Sequence, residues 1–182
     1  MIKSGLDRFL LSFFLILFIL LLNTCASVKD HNKNSIIIEN FPFYPQTAYQ
    51  CGPAALAGVL NFWGIYVTPD EIADEIYSES ARGTLSIDMS LYVQRKGLRA
   101  IQYKGDIQDL RENIDTGYPV IVLIDSGFSL YQINHFMVVI GYNEYGFIVN
   151  SGKEREKFIS EKYFMHSWGK TKFWTLLIKP NE

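Results

Sequence analysis

Cys51 and His135 are the two residues of this sequence whose types and surroundings favour nucleophilic chemistry. Cys51 opens the string Cys-Gly-Pro-Ala-Ala-Leu, which predicts the start of a helix, where unpaired N–H groups lower the pKa of a thiol. His135 follows a polar loop and opens an apolar strand, so it is predicted to act as a base at the edge of a cleft. Each residue also has a plainer interpretation, Cys51 as a buried free cysteine and His135 as a hydrogen-bonded core residue.

Two amides complete the candidate site. Gln46 lies on an extended segment before the cysteine and is predicted to donate a hydrogen bond to an oxyanion, together with the cysteine's own backbone N–H. Asn150 closes a later strand and is predicted to orient the imidazole. Three alternatives stay open: Gln50 as the donor, His166 as the base, and turn chemistry as the reason for Asn150.

The elements that must position these residues are helices in the first half of the chain and strands in the second. Periodicity, caps and glycine stops predict helices over residues 51–63, from 68 onward, over 86–96 and over 106–116, and strands over 36–38, 120–124, 135–142, 147–150 and 173–178. In the third helix, Ile87, Leu91 and Val93 are predicted to face inward. Helices followed by antiparallel strands favour an α+β domain over a βαβ fold.

One hairpin decides whether Asn150 reaches His135. Residues 143–146 predict the turn between the two strands that carry them. Simple pairing about this turn puts Asn150 opposite Val139 rather than His135. The predicted contact therefore requires strand twist or a β-bulge, for which Gly141 is the candidate.

The start of the chain is predicted to be an export signal. Residues 9–22 form an apolar run of 14 residues with one polar interruption, which is shorter than the ~20 residues of a membrane-spanning helix and typical of a signal peptide. The run ends in Leu-Asn-Thr-Cys, which resembles the lipobox of bacterial lipoproteins. This resemblance implies that residues 1–24 are removed and that Cys25 receives fatty acid chains such as palmitate. A plain signal peptide and an uncleaved anchor are the alternatives.

The remaining residues divide into a tether and one domain. Residues 25–35 are predicted to be a polar tether, and residues 36–182 a single domain in the bacterial cell envelope, anchored to a membrane by lipid and facing away from the cytoplasm. A disulfide between Cys25 and Cys51 fits an oxidising compartment, but each cysteine has a separate explanation.

Composition restricts the partners. The 182 residues carry a net charge of −2 and are 48% hydrophobic, which suits a packed domain and gives no basic excess for nucleic acid. Three histidines and two cysteines lack the spacing of a metal site, and no glycine-rich phosphate loop is present. No cofactor is therefore expected.

The strings around the candidate residues resemble a known family. They are Phe-Tyr-Pro-Gln at 43–46, Cys-Gly-Pro-Ala-Ala-Leu at 51–56, and His-Phe-Met-Val-Val-Ile-Gly-Tyr at 135–142 followed by Asn150. They resemble family 39 of the papain-like cysteine peptidases, the leader peptidases of bacteriocin-exporting ABC transporters, and most of all its free-standing lipoprotein members. The resemblance covers nearly all of residues 41–180. It implies a papain-like fold whose N-terminal helical part carries Cys51 and whose C-terminal antiparallel sheet carries His135.

The resemblance also implies a role for each residue. It makes Gln46 the oxyanion donor, Cys51 the nucleophile, His135 the base and Asn150 the orienting residue of a cysteine peptidase that acts on a peptide or protein. Two departures stand out: Gln46 precedes Cys51 by five residues where leader peptidases usually show six, and Asn150 stands where they usually carry Asp. Acyl transfer to an amine, and a catalytically silent peptide-binding lipoprotein, are the alternative functions.

Overall fold

Helix α1 (Cys51–Phe62) is the buried centre of the fold in the computed structural model, which describes residues 34–46, 50–128 and 131–181. Residues 52–60 are all buried, as expected for a helix that is apolar on every face. Gly58 allows the chain to cross this helix closely, since a Cβ there would lie 3.0 Å from the Phe41 ring and 3.1 Å from the Pro42 carbonyl oxygen. The predicted first helix is thus confirmed to within one residue.

The other predicted helices are also present. They are α2 (Pro69–Ile76), α3 (Ser86–Arg95) and α4 (Ile107–Asp115), and the structure adds α5 (Glu161–Gly169). Thr68 caps α2: its hydroxyl accepts from the Glu71 N–H, and the Glu71 carboxylate accepts from the Thr68 N–H.

The predicted inner face of α3 is mostly wrong. Met89, Tyr92 and Val93 are buried, whereas Ile87 and Leu91 are exposed. The buried residues follow the i, i+3, i+4 spacing of one helix face, and the two exposed residues lie four apart on another. Only the prediction for Val93 is confirmed.

An antiparallel sheet forms the second half of the domain. The strands are β1 (Ile36–Ile37), β2 (Tyr77–Ser78), β3 (Gly83–Thr84), β4 (Leu98–Lys104), β5 (Val120–Asp125), β6 (Asn134–Asn143), β7 (Gly146–Ser151), β8 (Glu154–Ser160) and β9 (Trp174–Pro180). The strand order of the sheet is β4-β9-β5-β6-β7-β8, and β1 pairs with β6. Strands β2 and β3 form a separate two-stranded sheet. The α+β class is confirmed, and β2, β3, β4 and β8 are additions to the predicted elements.

The hairpin of β6 and β7 contains the predicted bulge. Val139 pairs with Val149, but the next pair is Gly141 with Ile148, so Ile140 is the extra residue. The bulge places Asn150 opposite Val138 instead of Val139.

The sheet separates two hydrophobic cores. Phe136, Val138 and Ile140 of β6 pack on the side of α1, while Met137 and Val139 pack on the other side, with α5. Successive residues of a strand point to opposite faces, so the face on which a side chain stands decides which core it meets.

The predicted signal peptide and nearly all of the tether fall outside the described residues, as does Cys25. Among the residues that the structure describes, no helix combines the length and the apolar character needed to cross a bilayer.

Candidate active site

Cys51 is the first residue of α1, with its side chain half-buried at the start of β6. The backbone N–H groups of Phe136 and Gly52, and its own, face the sulfur. Burial nevertheless raises the pKa of the Cys51 thiol, because the loss of hydration exceeds the effect of these N–H donors. The N–H groups at the helix start therefore lower the pKa of the thiol as predicted, but burial raises this pKa by more.

The wall beside Cys51 is formed by β3. A Cβ on Gly52 would lie 2.9 Å from the Thr84 Cβ, so only glycine lets the helix start pack this closely against Thr84. The Thr84 hydroxyl is buried and has no hydrogen-bond partner among the described residues.

His135 is positioned by strand β5, which pairs with β6, and by the loop that leads from β5 into β6. It lies opposite Ile124 of β5. At the end of β5, the Asp125 carboxylate accepts hydrogen bonds from the N–H groups of Gly127 and Ile133, each at 2.8 Å. These two bonds lower the pKa of Asp125 and fix both ends of the loop that leads into β6.

The hydrogen-bond partner of the His135 ring is Ser151, which sequence reasoning missed. The His135 Nε2 lies 2.9 Å from the Ser151 Oγ. Ser151 ends β7 and is 8% exposed. Burial lowers the pKa of His135, and the nearby Lys157 cation lowers it further.

Asn150 does not orient His135, and this part of the predicted site is corrected. Its Oδ1 accepts a hydrogen bond from the Glu156 N–H at 2.9 Å, and its Nδ2 has no partner among the described residues. The bulge in β6 explains the difference: it turns Asn150 to the α1 side of the sheet and leaves Ser151 on the face of His135.

Gln46 is held in place by a backbone hydrogen bond to the turn that follows β7. Its backbone N–H donates to the Gly152 carbonyl at 2.9 Å, and Gly152 adopts the left-handed φ of 62° that this turn requires. Gln50 points elsewhere, because its Nε2 donates to the Asp70 carboxylate at 3.0 Å. Of the two glutamines, Gln46 is the one that lines a cavity together with Cys51.

One cavity of about 670 Å³ brings Gln46, Cys51 and His135 together. Its walls also include Thr84, Leu85 and Ile133. His135 borders a second cavity of about 460 Å³ on its other side, which Ser151 and Lys157 line.

The alternative base lies outside these cavities. His166 is exposed on α5 and lines neither of them, which removes it as the alternative base. Within the described ranges, no group of three or more His, Cys, Asp or Glu side chains has the geometry of a metal site.

The site combines a thiol, an imidazole and an amide that can serve acyl chemistry. The shifts in the Cys51 and His135 pKa values both favour the neutral forms. Among the described residues, no hydrogen bond joins the thiol to the ring. A substrate in the cavity would therefore meet a neutral thiol with a neutral base nearby, in place of a preformed ion pair.

Solved structures share this fold. The peptidase domain of Streptococcus ComA, a bi-functional ABC transporter involved in quorum sensing, has a TM-score of 0.66 at 22% identity, covering 78% of this chain and 99% of that domain. A double glycine motif protease from an AMS/PCAT transporter, solved in complex with its leader peptide, has a TM-score of 0.63 at 22% identity, covering 77% of this chain and 91% of that one.

Sequence comparison gives the family. An uncharacterized protein from Methanothermobacter thermautotrophicus is 41% identical over 66 residues, which are 36% of this chain and 46% of that protein, so the match spans less than half of the relative. The model of the Peptidase_C39 like family matches residues 38–175. Since this match extends over most of the chain and includes both Cys51 and His135, the protein belongs to the Peptidase_C39 like family and has its papain-like fold.

Proposed function

We propose that this protein is a cysteine peptidase that hydrolyses peptide bonds, with Cys51 as nucleophile and His135 as base. The observation that carries the proposal is the single cavity lined by Gln46, Cys51 and His135. The start of α1, the start of β6 and the segment before α1 converge there, and a lone buried cysteine would not require this convergence.

The reaction begins when His135 takes the proton of the Cys51 thiol as the sulfur attacks the peptide carbonyl. The resulting oxyanion accepts hydrogen bonds from the Gln46 side-chain amide and the Cys51 backbone N–H. Collapse of this intermediate breaks the C–N bond, and the amine leaves with the proton from His135. His135 then deprotonates a water molecule, which attacks the thioester to release the acid and restore the thiol.

A peptide is the substrate class that fits the cavity. The exposed apolar side chains of Leu85 and Ile133 border the same cavity and suit an apolar substrate side chain. The double glycine motif protease with this fold was solved in complex with a leader peptide, which supports a peptide as the substrate class.

A catalytically silent peptide-binding protein is the second candidate. Two observations favour it: the raised pKa of Cys51, and a hydroxyl rather than a carboxylate at the His135 ring. Such a protein would bind peptides at the same cavity and release them intact.

Cleavage of a peptide mixture by the purified protein tests the proposal, with the two glutamines as a matched pair of variants. We expect new peptide N-termini with the wild type. Gln46→Ala should lower kcat by about 30- to 1,000-fold, since one oxyanion donor is worth about 2–4 kcal/mol. Gln50→Ala should have a much smaller effect, because its amide binds Asp70. Mass spectrometry of the products gives both rates.

Two outcomes would oppose the proposal in different ways. Binding of peptides without any cleavage between pH 6 and 10 would replace the peptidase with the silent binding protein. A larger loss in Gln50→Ala than in Gln46→Ala would keep the peptidase and reject Gln46 as the donor.

We also propose that the protein is a lipoprotein of the bacterial cell envelope. The support is the apolar run of residues 9–22 and the lipobox-like string that ends in Cys25. Cells expressing the wild type should incorporate labelled palmitate into the protein and retain it in membranes, and Cys25→Ser should do neither. Cys51→Ser is the matched control and should stay labelled. Equal labelling of Cys25→Ser and wild type would reject Cys25 as the lipid site.

A further inference from the structure

We propose that Ser151 is the residue that positions His135, and that its neutral hydroxyl keeps the cysteine–histidine pair uncharged at rest. The proposal rests on the proposed peptidase function but makes claims about the His135 ring that can be measured without turnover. The Ser151 Oγ lies 2.9 Å from the His135 Nε2, and Ser151 is 8% exposed. A serine confined in this way cannot easily turn to another partner.

The contact decides which ring nitrogen is available for the reaction. His135 borders the cavity that contains Cys51 on one side and the cavity that contains Ser151 on the other. With Nε2 engaged by Ser151, Nδ1 is the nitrogen left for the thiol. Nδ1 can accept the thiol proton only when the ring carries its own proton on Nε2, so Ser151 must act as the acceptor of that N–H.

A hydroxyl and a carboxylate differ in what they do to this ring. Both accept the Nε2–H, but only a carboxylate stabilises imidazolium by its charge. A hydroxyl can also donate to Nε2, which would place the ring proton on Nδ1 and remove the base. Ser151 therefore orients the ring but gives imidazolium little electrostatic stabilisation.

The charges around His135 agree with a neutral ring. Lys157 of β8 faces it across the Ser151 cavity and disfavours imidazolium. Asp125 of β5 already accepts two backbone N–H groups. The other titratable groups bordering the two cavities are the Cys51 thiol of α1, Tyr163 of α5 and Arg82, next to β3, and the described residues that line the cavities include no aspartate or glutamate.

Three variants of Ser151 separate orientation from charge. Nitrogen-15 NMR of the full chain reports the protonated ring nitrogen of His135, and a pH titration of the ring gives its pKa. We expect Ser151→Ala to lose the preference for Nε2–H and Ser151→Thr to retain it. Ser151→Asp should raise the His135 pKa by about one unit or more, because a nearby carboxylate stabilises imidazolium. Room for the carboxylate exists because the 460 Å³ cavity adjoins Ser151.

Ser160→Ala is the matched control, because Ser160 lines the same cavity and makes no hydrogen bond to the ring. The proposal is overturned if the His135 tautomer is the same in Ser151→Ala and wild type. It is also overturned if Ser151→Asp is folded and leaves the His135 pKa unchanged. Should Ser151→Asp not fold, the comparison of Ser151→Ala with Ser151→Thr decides. None of these readouts requires peptide cleavage. A wild type that cleaves no peptide would therefore contradict the proposed peptidase function and leave the test of Ser151 unaffected.

Discussion

Replacing His135 with alanine should lower kcat/KM for peptide cleavage by about 10²- to 10⁴-fold, which is the usual contribution of a general base. In the proposed mechanism His135 also donates the proton to the leaving amine, so both halves of the reaction should be affected. The fold should persist, because the ring is half-buried between two open cavities and its removal leaves no sealed void.

His166→Ala is the matched control for this result, since it removes the same side chain from the exposed face of α5. We expect it to cleave at the wild-type rate, and circular dichroism of both variants to match the wild type. A similar loss in the two variants, or full activity in His135→Ala, would contradict the assignment of the base.

Replacing Trp168 with alanine lowers the free energy of unfolding by about 3–5 kcal/mol, as expected for a fully buried aromatic residue. Trp168 is 0% exposed, and its ring lies 5.3 Å from that of Phe164 and 5.2 Å from that of Phe173. Its Nε1 also donates to the Trp174 carbonyl at 3.0 Å, and the variant loses this hydrogen bond.

Urea unfolding followed by circular dichroism measures this loss. Tyr66→Ala is the control, because Tyr66 is 85% exposed and its removal should change the free energy by less than about 0.5 kcal/mol. A loss below about 1 kcal/mol in Trp168→Ala would show that the second core is not packed as described.

Most of the fold could be predicted from the sequence because its signals are local. The caps at Thr68 and Asp106 mark helix starts by their own hydrogen bonds. The continuous apolar run of β5 likewise identifies a buried strand. Strand β8 could not be found in this way, because four of its seven residues are charged. It forms by pairing with the outer side of β7, and this pairing depends on the rest of the sheet rather than on the sequence of residues 154–160 itself.

The positions of Cys51 and His135 in the candidate site could be predicted from the sequence, but the residue that contacts the His135 ring could not, because it depends on strand register. Cys51 and His135 lie at the ends of strongly patterned elements, so their convergence follows from the fold. Asn150 and Ser151 are neighbours with opposite orientations, and one extra residue in β6 exchanges them. A pairing pattern can suggest a bulge near Gly141, but it does not show which neighbour the bulge will turn toward the ring.

The position of β8 at the edge of the sheet has a consequence for solubility. An edge strand offers unpaired backbone groups to other chains and is a common starting point for aggregation. Here the outer strand begins with Glu154, Arg155, Glu156 and Lys157, all exposed, and Glu156 has the left-handed φ of 52°. A second chain that tried to extend the sheet at this edge would have to desolvate these charges and match an irregular backbone. The strand that pairs with β7 beside Ser151 thus also disfavours self-association at this edge of the sheet.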